Sequence, residues 1–329
     1  MATQASPNFT VGNVHVSAPL TQLSIGYHPM GMIAEQIFPV IRVNHENDLY
    51  YVWDQAQAFR LERGDGYDDM RADGTEARTE SYGATLKSYQ AYEFARRTTV
   101  TDRERGNADS VLQLETSKIR RTQDKILLNQ ELRIGKILTT TANYDSTNFV
   151  TLAGTSQWNN ASFASQNTAT QSVIKKNIDD GKEGIRSATG GLEANTIVVP
   201  AAVARVMARD VGIVEQVKYT HPDLLVGGYL PQTLWGMKVL MPTAIYSTSV
   251  EGEVPTYTDV WGKNVILAYV NPNPGVDSIT AGSIFRARDW QVKTWRDEAI
   301  DTTFYQASLV QTEVLVAKQA AYLIQSAIA

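Results

Sequence analysis

Hydrophobic and polar positions along the chain fall into helical, extended and patternless stretches. From residue 107 to 138, NADSVLQLETSKIRRTQDKILLNQELRIGKIL, good helix formers dominate, no proline intervenes and Gly135 is the one glycine. Ile119, Ile126, Arg133 and Ile137 fall near one stripe, with Leu127, Leu128, Leu132 and Leu138 on another, while Lys118, Arg121, Lys125 and Glu131 face away. Asn107 or Asp109 is placed to cap the first turn. At ~1.5 Å per residue, about thirty residues make a rod of roughly 45 Å, a spine for the rest of the chain.

Extended patterns flank this spine. MIAEQIFPVIRV (Met32–Val43) predicts a helical turn and then an extended segment after Pro39. The aromatic-rich DLYYVWDQAQAF (Asp48–Phe59) and YGATLKSYQAYEFARRTTVT (Tyr82–Thr101) predict strands. NTIVV (Asn195–Val199) predicts a buried strand stopped by Pro200, where the short helix AAVARVMARD begins. LWGMKVLM (Leu234–Met241) and VWGKNVILAYV (Val260–Val270) are further strands, each broken by a Trp-Gly pair. Thr170–Ser187 has helical spacing, and alternating strand and helix patterns make Gly190–Pro274 a compact α/β subdomain. From Ser283 onward, period-two runs predict antiparallel strands that return to pack on the spine.

Three stretches lack a pattern. Residues 1–35 are polar and irregular and carry Pro7, Pro19 and Pro29, which suits a tail that is either disordered or laid on something else. Residues 142–171 are rich in Asn, Thr, Ser and Gln, with FVTLAGTSQW as their only apolar island. Residues 59–80, FRLERGDGYDDMRADGTEARTE, are half charged and interrupted by Gly64, Gly66 and Gly74. With strand-like sequence on both sides, they predict the charged tip of a long hairpin. Such a hairpin is marginal alone in water and needs another surface to lie on.

Composition narrows the function classes. The 329 residues, 43% hydrophobic and 20% charged, suit a soluble chain of two domains or one elaborated domain. A net charge of −5 argues against a protein whose main work is gripping phosphate backbones. The absence of cysteine excludes disulfides, thiolate nucleophiles and zinc–thiolate sites. The N-terminus has no signal-peptide pattern and no apolar run reaches membrane-spanning length, so synthesis in the cytosol is expected, with no membrane partner.

No catalytic, cofactor-binding or metal-binding motif stands out. GxxxxGK[ST], GxGxxG, GxSxG and HExxH are all missing. His15, His28, His45 and His221 are scattered, none paired at metal-ligand spacing. The acidic run Asp65, Asp68, Asp69, Asp73 lacks the register of a calcium loop, and Arg63, Arg71 and Arg78 supply local counter-charge. A solvated or partner-facing charged tip is the reading, with Arg60, Arg63, Asp68, Asp69, Arg71 and Arg78 as candidate contact residues if it faces a partner. A carbohydrate-acting enzyme using the Asp-rich tip is a rival, weakened because a flexible tip does not fix the separation of two carboxylates. Arg96–Arg97, Arg103–Arg105 and Arg120–Arg121 are the densest basic points; interleaved Glu93, Asp102, Glu104 and Glu115 predict an ion-pair network.

Irregular arm, charged hairpin, spine helix, compact α/β insertion and strand return: this order resembles the major capsid proteins of tailed bacteriophages. IAEQIFPVIRV followed by YYVWD is similar to the family's arm running into its extended loop. DKILLNQELRIGKILTTTANY is similar to the spine helix and its exit, and VTLAGTSQWNN to the segment that follows. NTIVVPAAVARVMARD and DVWGKNVILAYVNPNP are similar to axial-domain strands.

The resemblance implies an α+β capsid fold: an N-terminal arm (about 1–45), an extended loop (about 46–90), a peripheral domain with the spine (about 91–190 and 280–329) and an axial domain (about 191–279). It implies a structural, non-enzymatic protein without cofactor. Such a protein self-assembles through hexamers and pentamers into an icosahedral shell around the phage genome. Expected partners are other copies, a scaffolding protein, a portal and in some relatives a decoration protein, with packaged double-stranded DNA touched non-specifically. Only about 45 residues precede the loop, so the scaffold is expected as a separate chain. The expected location is the virion, after assembly in the host cytoplasm. The loop holds a single lysine, Lys87, near its base, so no covalent cross-link is assigned. The fold is shared with encapsulin nanocompartments, the nearest alternative.

Overall fold

The computed structural model describes residues 31–53, 69–77, 79, 83–108, 114–160, 172–217, 230–250, 252–275 and 278–329. The described elements begin with α1 (Ala34–Ile37), β1 (Val40–Arg42), β2 (Asn47–Trp53), β3 (Ala84–Gln90), β4 (Tyr92–Thr101), α2 (Asp102–Asn107) and α3 (Leu114–Thr139). Next come β5 (Phe149–Thr151), α4 (Val173–Ala188), β6 (Thr196–Val198), α5 (Ala201–Met207), α6 (Val211–Val217), β7 (Thr233–Leu234) and β8 (Met237–Leu240). The remainder are β9 (Ile245–Ser247), β10 (Tyr257–Asp259), β11 (Val265–Ala268), β12 (Ser283–Asp297), β13 (Thr302–Val314) and β14 (Ala321–Gln325).

The short apolar runs collect into one mixed six-stranded sheet, ordered β5-β14-β11-β6-β8-β7. Its strands read as unbroken apolar runs because both faces are covered. Side chains alternate between two cores: Ile197, Val265, Leu267, Tyr322 and Ile324 point to one, with Ile174, Ile178 and Ile185 of α4 and Val203 and Met207 of α5. Val198, Ile266, Ala321 and Leu323 point to the other, with Ile37, Phe38, and Ile134 and Leu138 of α3. Each such aliphatic side chain contributes about 1.5–3 kcal/mol when fully buried. The first Trp-Gly pair is a two-residue hairpin turn between β7 and β8, with Trp235 at φ 49° and Gly236 at φ 81°.

A second sheet, ordered β1-β12-β13-β4, is built on two long antiparallel strands of 15 and 13 residues. The N-terminal half of α3 lies on it, with Ile126 against Ala307 and Leu309, while its C-terminal half reaches the six-stranded sheet. The spine therefore joins the two sheets. Gly135 lets it pass close to Val260, whose Cγ1 would stand 3.2 Å from an added Cβ.

Two local expectations are corrected. Asn107 ends a separate six-residue helix, α2, and does not cap the spine, which is described from Leu114; Asp109 lies outside the described residues. Helix α2 is capped by Thr101, whose hydroxyl accepts the Glu104 N–H while the Glu104 carboxylate accepts the Thr101 N–H. The Tyr82–Thr101 stretch is two strands separated at Ala91: β3 pairs with β2, and β4 pairs with β13.

Candidate subunit-contact surfaces

β2 and β3 form an antiparallel ribbon, paired from Asn47–Gln90 at its base to Trp53–Ala84 at its far end. Directly paired residues share a face, so alternation sorts the ribbon into two rows. One row turns inward: Tyr89 stacks on Phe285 of β12 at 4.7 Å and Tyr50 meets the same ring at 5.6 Å. The other row, Leu49, Tyr51 and Leu86, is 54%, 59% and 51% exposed. This outer row is an exposed apolar strip along the ribbon.

The arm side of the chain is held by a buried carboxylate. Glu131 is fully buried in α3. It accepts the Ile33 N–H at both oxygens (3.1 and 3.0 Å), the Ala34 N–H (2.8 Å) and the Trp261 indole N–H (2.6 Å). Burial pushes its carboxyl above the ordinary glutamate range, and the N–H groups of Ile33, Trp261 and Ala34 pull it back. One side chain thus joins the first described helix, the spine and the turn before β11. The expectation that Glu131 faces away from the core is wrong: Ile134 and Leu138, three and seven residues on, share its face, and three convergent donors replace water around the charge.

Charged side chains around the second sheet sort into two groups. Asp102 accepts a bidentate pair from Arg296 at 2.8 Å and also meets Arg105, so its carboxyl lies below the ordinary range. Arg105 also binds Glu115, Lys118 binds Glu104 at 2.8 Å, and Arg288 binds Glu93 at 2.5 Å. Arg133 makes a bidentate pair with Glu313 (2.9 and 2.7 Å) and lies 3.7 Å over the Phe94 ring. The interleaved network is therefore present, but Arg96, Arg97, Arg121 and Lys125 stand outside it, lining a groove between β4 and α3.

Among the described residues no three His, Asp or Glu side chains converge as metal ligands, and no helix is long and apolar enough to cross a membrane.

No protein-family model matches the chain. A curated relative, the "Major capsid protein" of Burkholderia phage BcepMu, is 24% identical over 255 residues, 78% of this chain and 76% of that protein. The backbone superposes on a phage-related protein from Bordetella bronchiseptica RB50 with a TM-score of 0.66 and 21% identity, covering 95% of this chain and 97% of that one. The capsid of cyanophage P-SCSP1u follows at TM-score 0.63 and 8% identity, covering 98% of both chains. The chain has the phage capsid fold. At these identities what is shared is the path of the backbone rather than the side chains on its surfaces.

Within the capsid fold, Asp69 and Arg71 lie exposed at the start of the short segment 69–77, where the Thr75 N–H and hydroxyl both donate to the Ala72 carbonyl. Arg60, Arg63, Asp68 and Arg78 lie outside the described residues. Sequence reasoning missed Glu131, Trp261 and the outer ribbon row. The row had a legible signal, since Leu49 and Tyr51 alternate with Asp48 and Tyr50. Glu131 had only the neighbouring Ile134 and Leu138.

Proposed function

We propose that this chain is a phage major capsid protein, a structural subunit that assembles through hexamers and pentamers into the icosahedral shell around the genome. The observation that carries the reading is the ribbon. A two-stranded excursion of seven residues per strand is marginal by itself, yet it keeps an apolar row turned to solvent. A neighbouring copy supplies the missing cover. The capsid fold of the backbone and the named relative support the same reading.

In this reading residues about 1–45 are the arm, 46–90 the extended loop, 91–190 and 280–329 the peripheral domain, and 191–279 the axial domain. The six-stranded sheet then draws strands from both sides of the last boundary, since β5 and β14 pair into it. The extended loop lies across the next subunit's peripheral domain, and axial domains meet around the capsomer centre, a heterologous contact that closes at five or six copies. The role is structural rather than enzymatic, and the protein resides in the virion after assembly in the host cytoplasm. A separate scaffolding chain, a portal and non-specific contact with packaged DNA complete the proposed partners.

Electron microscopy and light scattering on the purified protein, with scaffold where needed, test this. Closed shells or capsomers are expected, and a monomer under every condition contradicts the reading. Deleting residues 60–80 should leave the subunit's circular dichroism largely intact while abolishing shells. Assembly that survives the deletion removes the loop from the contact.

A further inference from the structure

Glu131 and Arg133 leave the spine in nearly opposite directions. At ~100° per residue, two positions along the helix are about 200° around it. On one side Glu131 accepts the Ile33 and Ala34 N–H groups at the head of α1 and the Trp261 indole N–H. On the other side Arg133 makes its bidentate pair with Glu313 of β13. From Glu313 the contacts run on through the second sheet. Gln311, two residues back on the same strand, donates its Nε2 hydrogen to Glu313 at 2.9 Å. Its Oε1 accepts from Nε of Arg286, its direct partner on β12, at 3.0 Å. Arg286 in turn donates to Glu35 at 2.6 Å, and Glu35 lies in the first turn of α1. The path therefore returns to the helix from which it set out.

Two features make this ring act as a unit. Its middle is dry: the side chains of Arg286, Gln311 and Glu313 are buried, and Glu35 and Arg133 are the links that reach solvent. A link broken in the interior leaves a charge or an amide that water does not readily satisfy. The Gln311 amide is also fixed in direction, because its carbonyl faces a cation and its NH2 group a carboxylate. Loss of Arg133 at one end thus loosens Glu313, Gln311 and Arg286 in turn, and with them the hold on Glu35.

We infer that α1 is a clasp that locks the spine against rotation about its own axis, and so fixes the angle between the two sheets the spine joins. A partner that draws off Glu35 or Arg133, the two exposed links, opens the clasp and frees that angle. All the contacts lie within one subunit, so the clasp is independent of the shell reading.

Hydrogen exchange on the dissociated full-length subunit tests the ring. Arg133→Met touches no residue of α1, yet it should speed exchange at the Ile33 and Ala34 amides by at least about tenfold, with Leu267 in the centre of the six-stranded sheet nearly unchanged. Unchanged exchange at Ile33 and Ala34, or equal acceleration at Leu267, overturns the inference. Arg133→Met combined with Glu313→Leu opens the ring without stranding a charge and should stay fast. Protection that returns in this pair assigns the effect to the stranded carboxylate and overturns the ring. Glu35→Gln, at the half-exposed far end, should loosen the same amides in a subunit whose core is untouched. The angle is read separately. The chain has no cysteine, so spin labels go to Thr233→Cys on β7 and Lys293→Cys on β12, both exposed. One narrow distance is expected with the clasp intact and a broad distribution with Arg133→Met or Glu35→Gln. A distribution that neither change broadens refutes the lock.

Discussion

Replacing Glu131 by Gln tests how the first described helix is fastened to the spine. In the wild type three donors converge on one carboxylate: two backbone N–H groups and an indole N–H, at 2.6 to 3.1 Å. An amide of the same shape keeps one acceptor oxygen and turns an NH2 group toward at least one of those donors. An orphaned buried donor costs about 1–3 kcal/mol, and each surviving bond loses its charge assistance, about another 1 kcal/mol. Against this, the neutral side chain no longer pays the desolvation that pushes the Glu131 carboxyl up. The balance is a loss of about 2 kcal/mol from a total stability on the order of 5–15. Urea denaturation of the dissociated subunit should show a lower midpoint at unchanged slope. Trp261→Phe should cost about 1–2 kcal/mol, and the double variant should be less destabilised than the sum by about 0.5 or more. A Glu131→Gln loss below about 0.5 kcal/mol, with additive singles, refutes the claim that this carboxylate fastens three segments.

Gln130, the preceding residue, is fully buried and neither amide atom has a hydrogen-bond partner among the described residues, so Gln130→Met should stabilise the subunit by about 1 kcal/mol in the same assay. Leu49→Asp with Leu86→Asp should leave the subunit's denaturation midpoint within about 0.5 kcal/mol while shells disappear by light scattering, because the outer ribbon row is exposed in the free chain. Glu104, held below the ordinary glutamate range by Lys118 first and by the Thr101 N–H, contributes stability that is present above about pH 4.5 and lost as pH falls through its lowered value. The stability gap between wild type and Glu104→Gln should therefore be open at neutral pH and narrow as pH falls below about 4.5; a gap that does not narrow in acid contradicts the linkage.

Much of the fold was legible in short-range pattern. Strand NTIVV ends at Pro200, the first Trp-Gly pair makes a hairpin turn, and the period-two runs after Ser283 become β12 and β13, because each depends on neighbours a few residues away. The misses share one cause. Glu131 is charged and helical, hence solvent-facing by residue type, and only donors 98 and 130 residues away reverse that. The basic residues of β4 and α3 look alike in sequence, yet Lys118 meets Glu104 while Arg121 and Lys125 do not, a distinction made by helix rotation against the sheet. Of the candidate contact residues, Asp69 and Arg71 lie exposed in the described turn segment.

The order in which the six-stranded sheet is filled has a consequence in time. β14 enters between β5 and β11, and it pairs Gln325 with Thr151, 174 residues earlier in the chain. A polypeptide growing from its N-terminus therefore carries both flanking strands with open edges until residues 321–325 are made. Closure of such distant contacts is slow, and open edges invite the wrong partners. Synthesis itself becomes a checkpoint: a subunit presents finished surfaces to its neighbours only after β14 has slotted home.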